Sequence, residues 1–164
     1  MKKIIVFLIS GLLIFDISAQ ETKLYNPAAD AENDISSAIQ KAKAEHKFVL
    51  IQAGGNWCSW CIEFARFAKA DPQIDSVINA GFIWYHLNYS KENRNEILLA
   101  KYGYPQRFGF PVFLILNDKG ERLHTQSSEY LEDGKKSYDK SKVREFLQNW
   151  SPAALDPVKY QKKG

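Results

Sequence analysis

Cysteine is scarce in this chain: there are two among 164 residues, accompanied by only three histidines. A zinc centre needs about four ligands, or three plus water. With His46, His86 and His124 scattered along the sequence, such a set is not assembled, so no metal is expected. Two cysteines could instead staple an exported fold. Cys58 and Cys61 would close only a very small loop, however, which restrains little of the unfolded chain. Their spacing argues for chemistry over stapling. An excess of charge of one sign is also missing. The net charge of +3 falls by one, to +2, if Lys2, Lys3 and Asp16 leave with the leader described next. That is too weak to indicate a nucleic-acid partner. Repeats, low-complexity blocks and linkers are lacking too. With 45% hydrophobic and 25% charged residues, the composition fits one globular domain with a full core.

The longest apolar run is short of the ~20 residues that span a bilayer. Lys2 and Lys3 precede an almost wholly apolar stretch from Ile4 to Ile14, and Ser18-Ala19 supplies small residues before Gln20. This pattern is read as a secretory signal peptide over residues 1–19. No cysteine near the cut points to a lipid anchor. The expected destination is the periplasm or cell envelope. The remainder divides into a domain over 20–152 and a tail over 153–164 with little apolar content.

Residues 20 to 29 read as an irregular lead-in. From Asp30, Ile35, Ala38, Ile39 and Ala42 recur at helical spacing, with Asp30 or Asn33 as cap and His46-Lys47 as the end. Phe48 to Ala53 is a short apolar run, read as a buried central strand. Gly54-Gly55-Asn56 breaks it. A helix follows Cys58-Ser59-Trp60-Cys61, and Asp71-Pro72 caps another that Gly81 closes. Phe82 to Asn88 is a second strand. Asn93 to Glu96 resembles a capping box opening a short helix that stops at Gly103. Pro111 introduces a strand over Val112 to Leu116, Asn117 to Gly120 turns, and Glu121 to about Gln126 returns. A polar stretch, Ser127 to Lys140, precedes a last helix with Val143, Phe146, Leu147 and Trp150 on one face, and the lysines from 135 to 142 are read as a solvated loop. Phe64, Phe67, Phe82 and Trp84 are assigned to the core. The order implies an α/β sandwich, with a mixed sheet of about four strands and helices on both faces.

Cys58 sits where a strand gives way to a helix. Free backbone N–H groups and the helix dipole favour an anion there, which lowers a thiol's pKa. The thiolate is the species that attacks disulfides. Cys61, nearly one turn on, faces the same side. We therefore assign Cys58 as attacking nucleophile and Cys61 as resolving thiol. An inert disulfide and half of a zinc site are the rival readings of the spacing.

The strand, the small residues, Trp57 and Cys58-Ser59-Trp60-Cys61 at a helix start together resemble the thioredoxin active site. Leu99-Ala100-Lys101-Tyr102-Gly103, then Phe110-Pro111-Val112-Phe113-Leu114-Ile115, resembles the family's approach to its cis-proline strand. Asn117 to Glu121 resembles its hairpin turn. The likeness covers roughly residues 33 to 150 and is nearest to exported bacterial thioredoxin-related proteins. It implies a thioredoxin fold and thiol–disulfide exchange on exported proteins, with no organic cofactor, the cysteine pair being the redox group. It also implies a cis Pro111 facing the cysteines, Phe110 backbone exposed to an extended substrate, and Trp57 and Trp60 as contacts around the groove. A monomer is expected, re-reduced or re-oxidised by a membrane-bound redox partner. Two positions depart from the family. Ser-Trp replaces Gly-Pro between the cysteines, which bears on the redox potential. Gln52 stands where many members carry a buried acid, and His86 aligns with that acid's lysine partner. Gln52 and His86, bridged by water, are taken as a candidate proton relay; a buried amide and a surface imidazole without a role is the plainer reading. A non-catalytic binding or scaffold module on the same fold is the alternative function.

Overall fold

A computed structural model describes residues 23–161. The signal-peptide assignment lies outside them. Among them no helix is long and apolar enough to cross a membrane.

Helix α1 (Ala31–Ala44) starts where Asp30 accepts a hydrogen bond from the Asn33 amide, and it buries Ala31, Ile35, Ala38 and Ala42. Strand β1 (Phe48–Gly54) is buried from Val49 onward. Helix α2 (Ser59–Ala70) follows, then α3 (Pro72–Gly81), β2 (Phe82–Asn88) and α4 (Glu96–Lys101). Strands β3 (Val112–Leu116) and β4 (Arg122–Ser127) form the hairpin, and α5 (Lys140–Asn149) closes the domain. The strand order is β2-β1-β3-β4. β1 runs parallel to β2 and antiparallel to β3, and β4 is antiparallel to β3. This is the mixed four-stranded sheet expected from the order of apolar runs.

The period-two alternation of the strands divides the core. Val49, Ile51, Ala53, Leu87, Leu114 and Leu116 pack with α1 and α4 on one face. Leu50, Phe64, Phe82, Phe113 and Ile115 pack with α2, α3 and α5 on the other. Burial of Val143, Phe146 and Leu147 from α5 stabilises its docking by about 1.5–3 kcal/mol for each side chain. Asp71 serves two helices at once. Its N–H bonds the Phe67 carbonyl at the end of α2. Its carboxylate accepts from the Gln73 and Ile74 amides at the start of α3 and meets Lys140 Nζ at 2.8 Å.

One local expectation needs correction. The capping box does not form: Asn95 adopts a left-handed conformation (φ 50°) and makes no side-chain cap. Its amide instead donates to the Asn88 carbonyl, while Asn93 donates to the Pro27 carbonyl. The Asn93 side-chain oxygen accepts from the Asn95 backbone N–H, two residues on, in place of an amide in the first turn of the helix. Lys135, Lys136, Lys140 and Lys142 are exposed, while the same polar region sends Leu131 and Tyr138 into the α2-side core. The lead-in is irregular, and its Tyr25 has no exposed surface. In the tail, Pro157–Tyr160 forms one 3-10 turn with no buried residue.

Candidate active site

β1 delivers the chain from the middle of the sheet to the first turn of α2. Cys58 is the N-cap of that helix, and its Sγ accepts a hydrogen bond from the Cys61 amide at 3.1 Å. The first turn carries no acidic residue that would oppose an anion. Cys58 and Cys61 are joined by a disulfide. Cys58 is 6% exposed and Cys61 is fully buried, so Cys58 is the more accessible of the two.

The site residues named from sequence fall into an outer and an inner group. Trp57 is 60% exposed at the mouth, held by an Nε1–H bond of 2.7 Å to the Tyr89 carbonyl. Phe110 packs edge-on to Trp57 and tilted against Tyr89. The Phe110–Pro111 peptide is cis, and Pro111 is buried at the head of β3. Trp60 is half-buried edge-on to Tyr138, whose hydroxyl donates to the Trp60 carbonyl at 3.0 Å.

Gln52 and His86 are directly opposite in the β1–β2 register. No hydrogen bond joins them. Gln52 is fully buried, and its Nε2 donates to the Tyr25 hydroxyl at 2.7 Å and to the Cys61 carbonyl at 2.8 Å. The second contact fixes the amide's orientation, since a carbonyl can only accept. His86 lies edge-on to Tyr25 and tilted on Trp84, and its Nε2 is buried without a partner among the described residues. It is not a surface imidazole. Burial, with Lys69 nearby, depresses its pKa to about 4.

That depression has a stability consequence. The unfolded His86 titrates near 6.5, so between pH 6.5 and 4 the unfolded chain gains a proton that the fold refuses. The contribution is intact above pH 6.5 and is lost as the pH falls through 4. We expect acid to destabilise the protein over this window by up to about 3 kcal/mol from this group. A His86→Phe variant should flatten that part of a denaturation-against-pH curve; an unchanged slope refutes the assignment.

Sequence reading missed Tyr25, Gly54 and Gly55 as parts of the site. The Tyr25 backbone is clasped by Asn56, which accepts from its N–H at 3.0 Å and donates to its carbonyl at 2.7 Å. A Cβ on Gly54 would lie 2.4 Å from Cys61 Sγ and 2.9 Å from the Tyr25 hydroxyl. One on Gly55 would lie 2.4 Å from Trp57 Nε1. The paired glycines were a legible sign of close approach. Nothing in the periodicity marked Tyr25.

A family model described as thioredoxin-like matches residues 30–118, more than half of the chain. The chain belongs to the thioredoxin-like family. This thioredoxin-like domain is 23% identical over 132 residues to the thiol:disulfide interchange protein DsbD of Salmonella typhimurium, covering 74% of this chain and 22% of that one. It is 27% identical over 89 residues to the DsbD of Vibrio cholerae, covering 54% of this chain and 14% of that one. The chain thus spans about a fifth or less of the length of these curated relatives. Among solved structures it resembles the disulphide isomerase from Xylella fastidiosa Temecula1, with a TM-score of 0.66, 24% identity and coverage of 76% and 94% of the two chains. It also resembles the oxidised DsbD C-terminal domain of Neisseria meningitidis, with a TM-score of 0.55, 17% identity and coverage of 74% and 97%. These likenesses establish the thioredoxin-like fold.

Proposed function

We propose that this domain exchanges thiols and disulfides with exported proteins in the periplasm or cell envelope, with Cys58 as nucleophile and Cys61 as resolving thiol. The observation that carries this reading is the disulfide between a sulfur at a helix N-cap, bonded by an amide, and a fully buried sulfur on the next turn. In the reductive direction, the Cys58 thiolate attacks a substrate disulfide. The substrate S–S bond breaks, one substrate thiolate leaves with the electron pair, and a mixed disulfide remains at Cys58. Cys61, its proton passed to water, then attacks Cys58 Sγ. The second substrate sulfur leaves and takes a proton from water. Two electrons have moved to the substrate, and the Cys58–Cys61 disulfide remains. The cysteine pair is the redox group, and no organic cofactor enters these steps.

Trp57, Trp60, Phe110 and Pro111 are assigned to substrate contact. Trp57 and Phe110 form an aromatic rim over the more accessible sulfur, suited to an extended segment laid beside the Phe110 backbone. A membrane-bound thiol or quinone-linked protein is the partner class that would reset the pair. Kinship to proteins named for thiol:disulfide interchange supports the reading.

A Cys61→Ala variant tests it directly. Incubated with oxidised substrate proteins, it should accumulate mixed disulfides at Cys58, visible on non-reducing gels and dissolved by dithiothreitol. Adducts that form equally in a Cys58→Ala background, or none at all, would refute exchange and favour a binding module. The couple's equilibrium potential against glutathione sets direction: about −270 mV marks a reductant and about −120 mV an oxidant.

A further inference from the structure

We propose that the Tyr25 hydroxyl, delivered by the segment before α1 and aimed by Gln52, is the hydrogen-bond donor that stabilises the Cys61 thiolate during resolution. The inference rests on the exchange reading above and adds a residue to it.

Resolution requires Cys61 to ionise while fully buried, which burial opposes. No carboxylate lies in the inner group that could receive its proton. The ionisable groups facing this centre from each packed element are few. Tyr25 comes from the lead-in, and His86 of β2 lies behind the Tyr25 ring. Tyr138 bonds the Trp60 carbonyl. Glu63, on the outer side of α2, is taken up by Arg66 and Ser137. β1 contributes the neutral Gln52. A neutral donor is therefore the stabiliser on hand.

Tyr25 lies beside the buried sulfur. Its hydroxyl and Cys61 Sγ border one small space, since a Cβ on Gly54 would touch both. Gly54 leaves that space open. The Tyr25 ring packs with both cysteines. Because the hydroxyl oxygen accepts from Gln52 Nε2, its own hydrogen is left to point elsewhere. Among the described residues no hydrogen bond engages that hydrogen, and in the disulfide form none joins it to Cys61 Sγ, so the bond proposed here is one that the thiolate would draw in. Burial holds the phenol far above its ordinary pKa, so it remains a donor at every physiological pH and is never the base. The Cys61 proton goes to water, as in the scheme above; Tyr25 supplies only the hydrogen bond that favours the anion left behind. Gln52 is then a positioning residue. It holds the Tyr25 oxygen with the same amide that bonds the Cys61 carbonyl, so donor and acceptor keep one register.

The test is a thiolate titration by absorbance at 240 nm in single-cysteine proteins. In a Cys58→Ser background, Tyr25→Phe should raise the Cys61 midpoint by about one pH unit, a roughly tenfold loss of thiolate near neutrality. In a Cys61→Ser background, the same change should leave the Cys58 midpoint in place. A tyrosine that merely fills space would move both midpoints or neither, and either result overturns the proposal. Should Tyr25→Phe fail to fold, Gln52→Leu keeps the ring and removes the aiming amide. It should raise the Cys61 midpoint alone, and an unmoved midpoint overturns the proposal. The titration needs no turnover. A protein that exchanges briskly with an unmoved Cys61 midpoint rejects Tyr25's role only. One with the shifted midpoint that forms no mixed disulfide rejects the exchange reading only.

Discussion

A Cys58→Ser variant should lose dithiothreitol-driven insulin reduction by about a hundredfold or more, to the rate without protein. The serine hydroxyl stays protonated at neutral pH and cannot attack a disulfide. The fold should hold. Serine is a preferred N-cap, and its oxygen can accept the Cys61 amide that Cys58 Sγ accepts now. Removal of a disulfide closing so small a loop costs little through the unfolded chain. The expected pair of results is thus a lost rate beside a nearly unchanged melting temperature. Residual turnover above a tenth of the native rate would remove Cys58 from the proposed mechanism.

Gly54→Ala should be strongly destabilising, because it places a methyl group against the buried sulfur. The added carbon would meet Cys61 Sγ at 2.4 Å, the Tyr25 hydroxyl at 2.9 Å and Cys61 Cβ at 3.3 Å. None of these can step aside easily. The sulfur is tied to Cys58, and the tyrosine is clasped through its backbone by Asn56. Overpacking of this kind costs about 1–3 kcal/mol, read as a lower denaturation midpoint. Gly81→Ala is the control. Its nearest neighbours stand at 3.8 Å, so a change within about 0.5 kcal/mol is expected. Equal effects at the two positions would show that the space beside Cys61 is not tight.

The parts of this protein that were legible in its sequence are those set by local pattern. β2 spans Phe82–Asn88 as the aromatic and branched run implied. Asp71-Pro72 marked the start of α3, because a capping carboxylate and a proline at the first helical position are both local devices. The cysteine pair announced itself through spacing and helix placement. What remained hidden was decided by contacts between distant segments. Tyr25 reaches a cysteine 36 positions later only because the sheet brings β1 beneath it. Asn95 looked like part of a cap but spends its amide on Asn88. Leu131 and Tyr138 sit in a stretch so polar that no periodicity revealed them, although they finish the core behind α2. Gln52 and His86 were linked through the family's acid and lysine positions, yet their register and the partners of Gln52 could be found only in three dimensions.

Asp71 has a mechanical consequence. One residue ends the helix that bears both sulfurs, begins the next, and is tethered to the head of the last. The sulfur-bearing rod is thus clamped at the end remote from its chemistry. The opposite end is tied as well, by Gln52 on the Cys61 carbonyl and Tyr138 on the Trp60 carbonyl, so the rod is pinned at both ends and the scaffold need not be re-formed with each cycle.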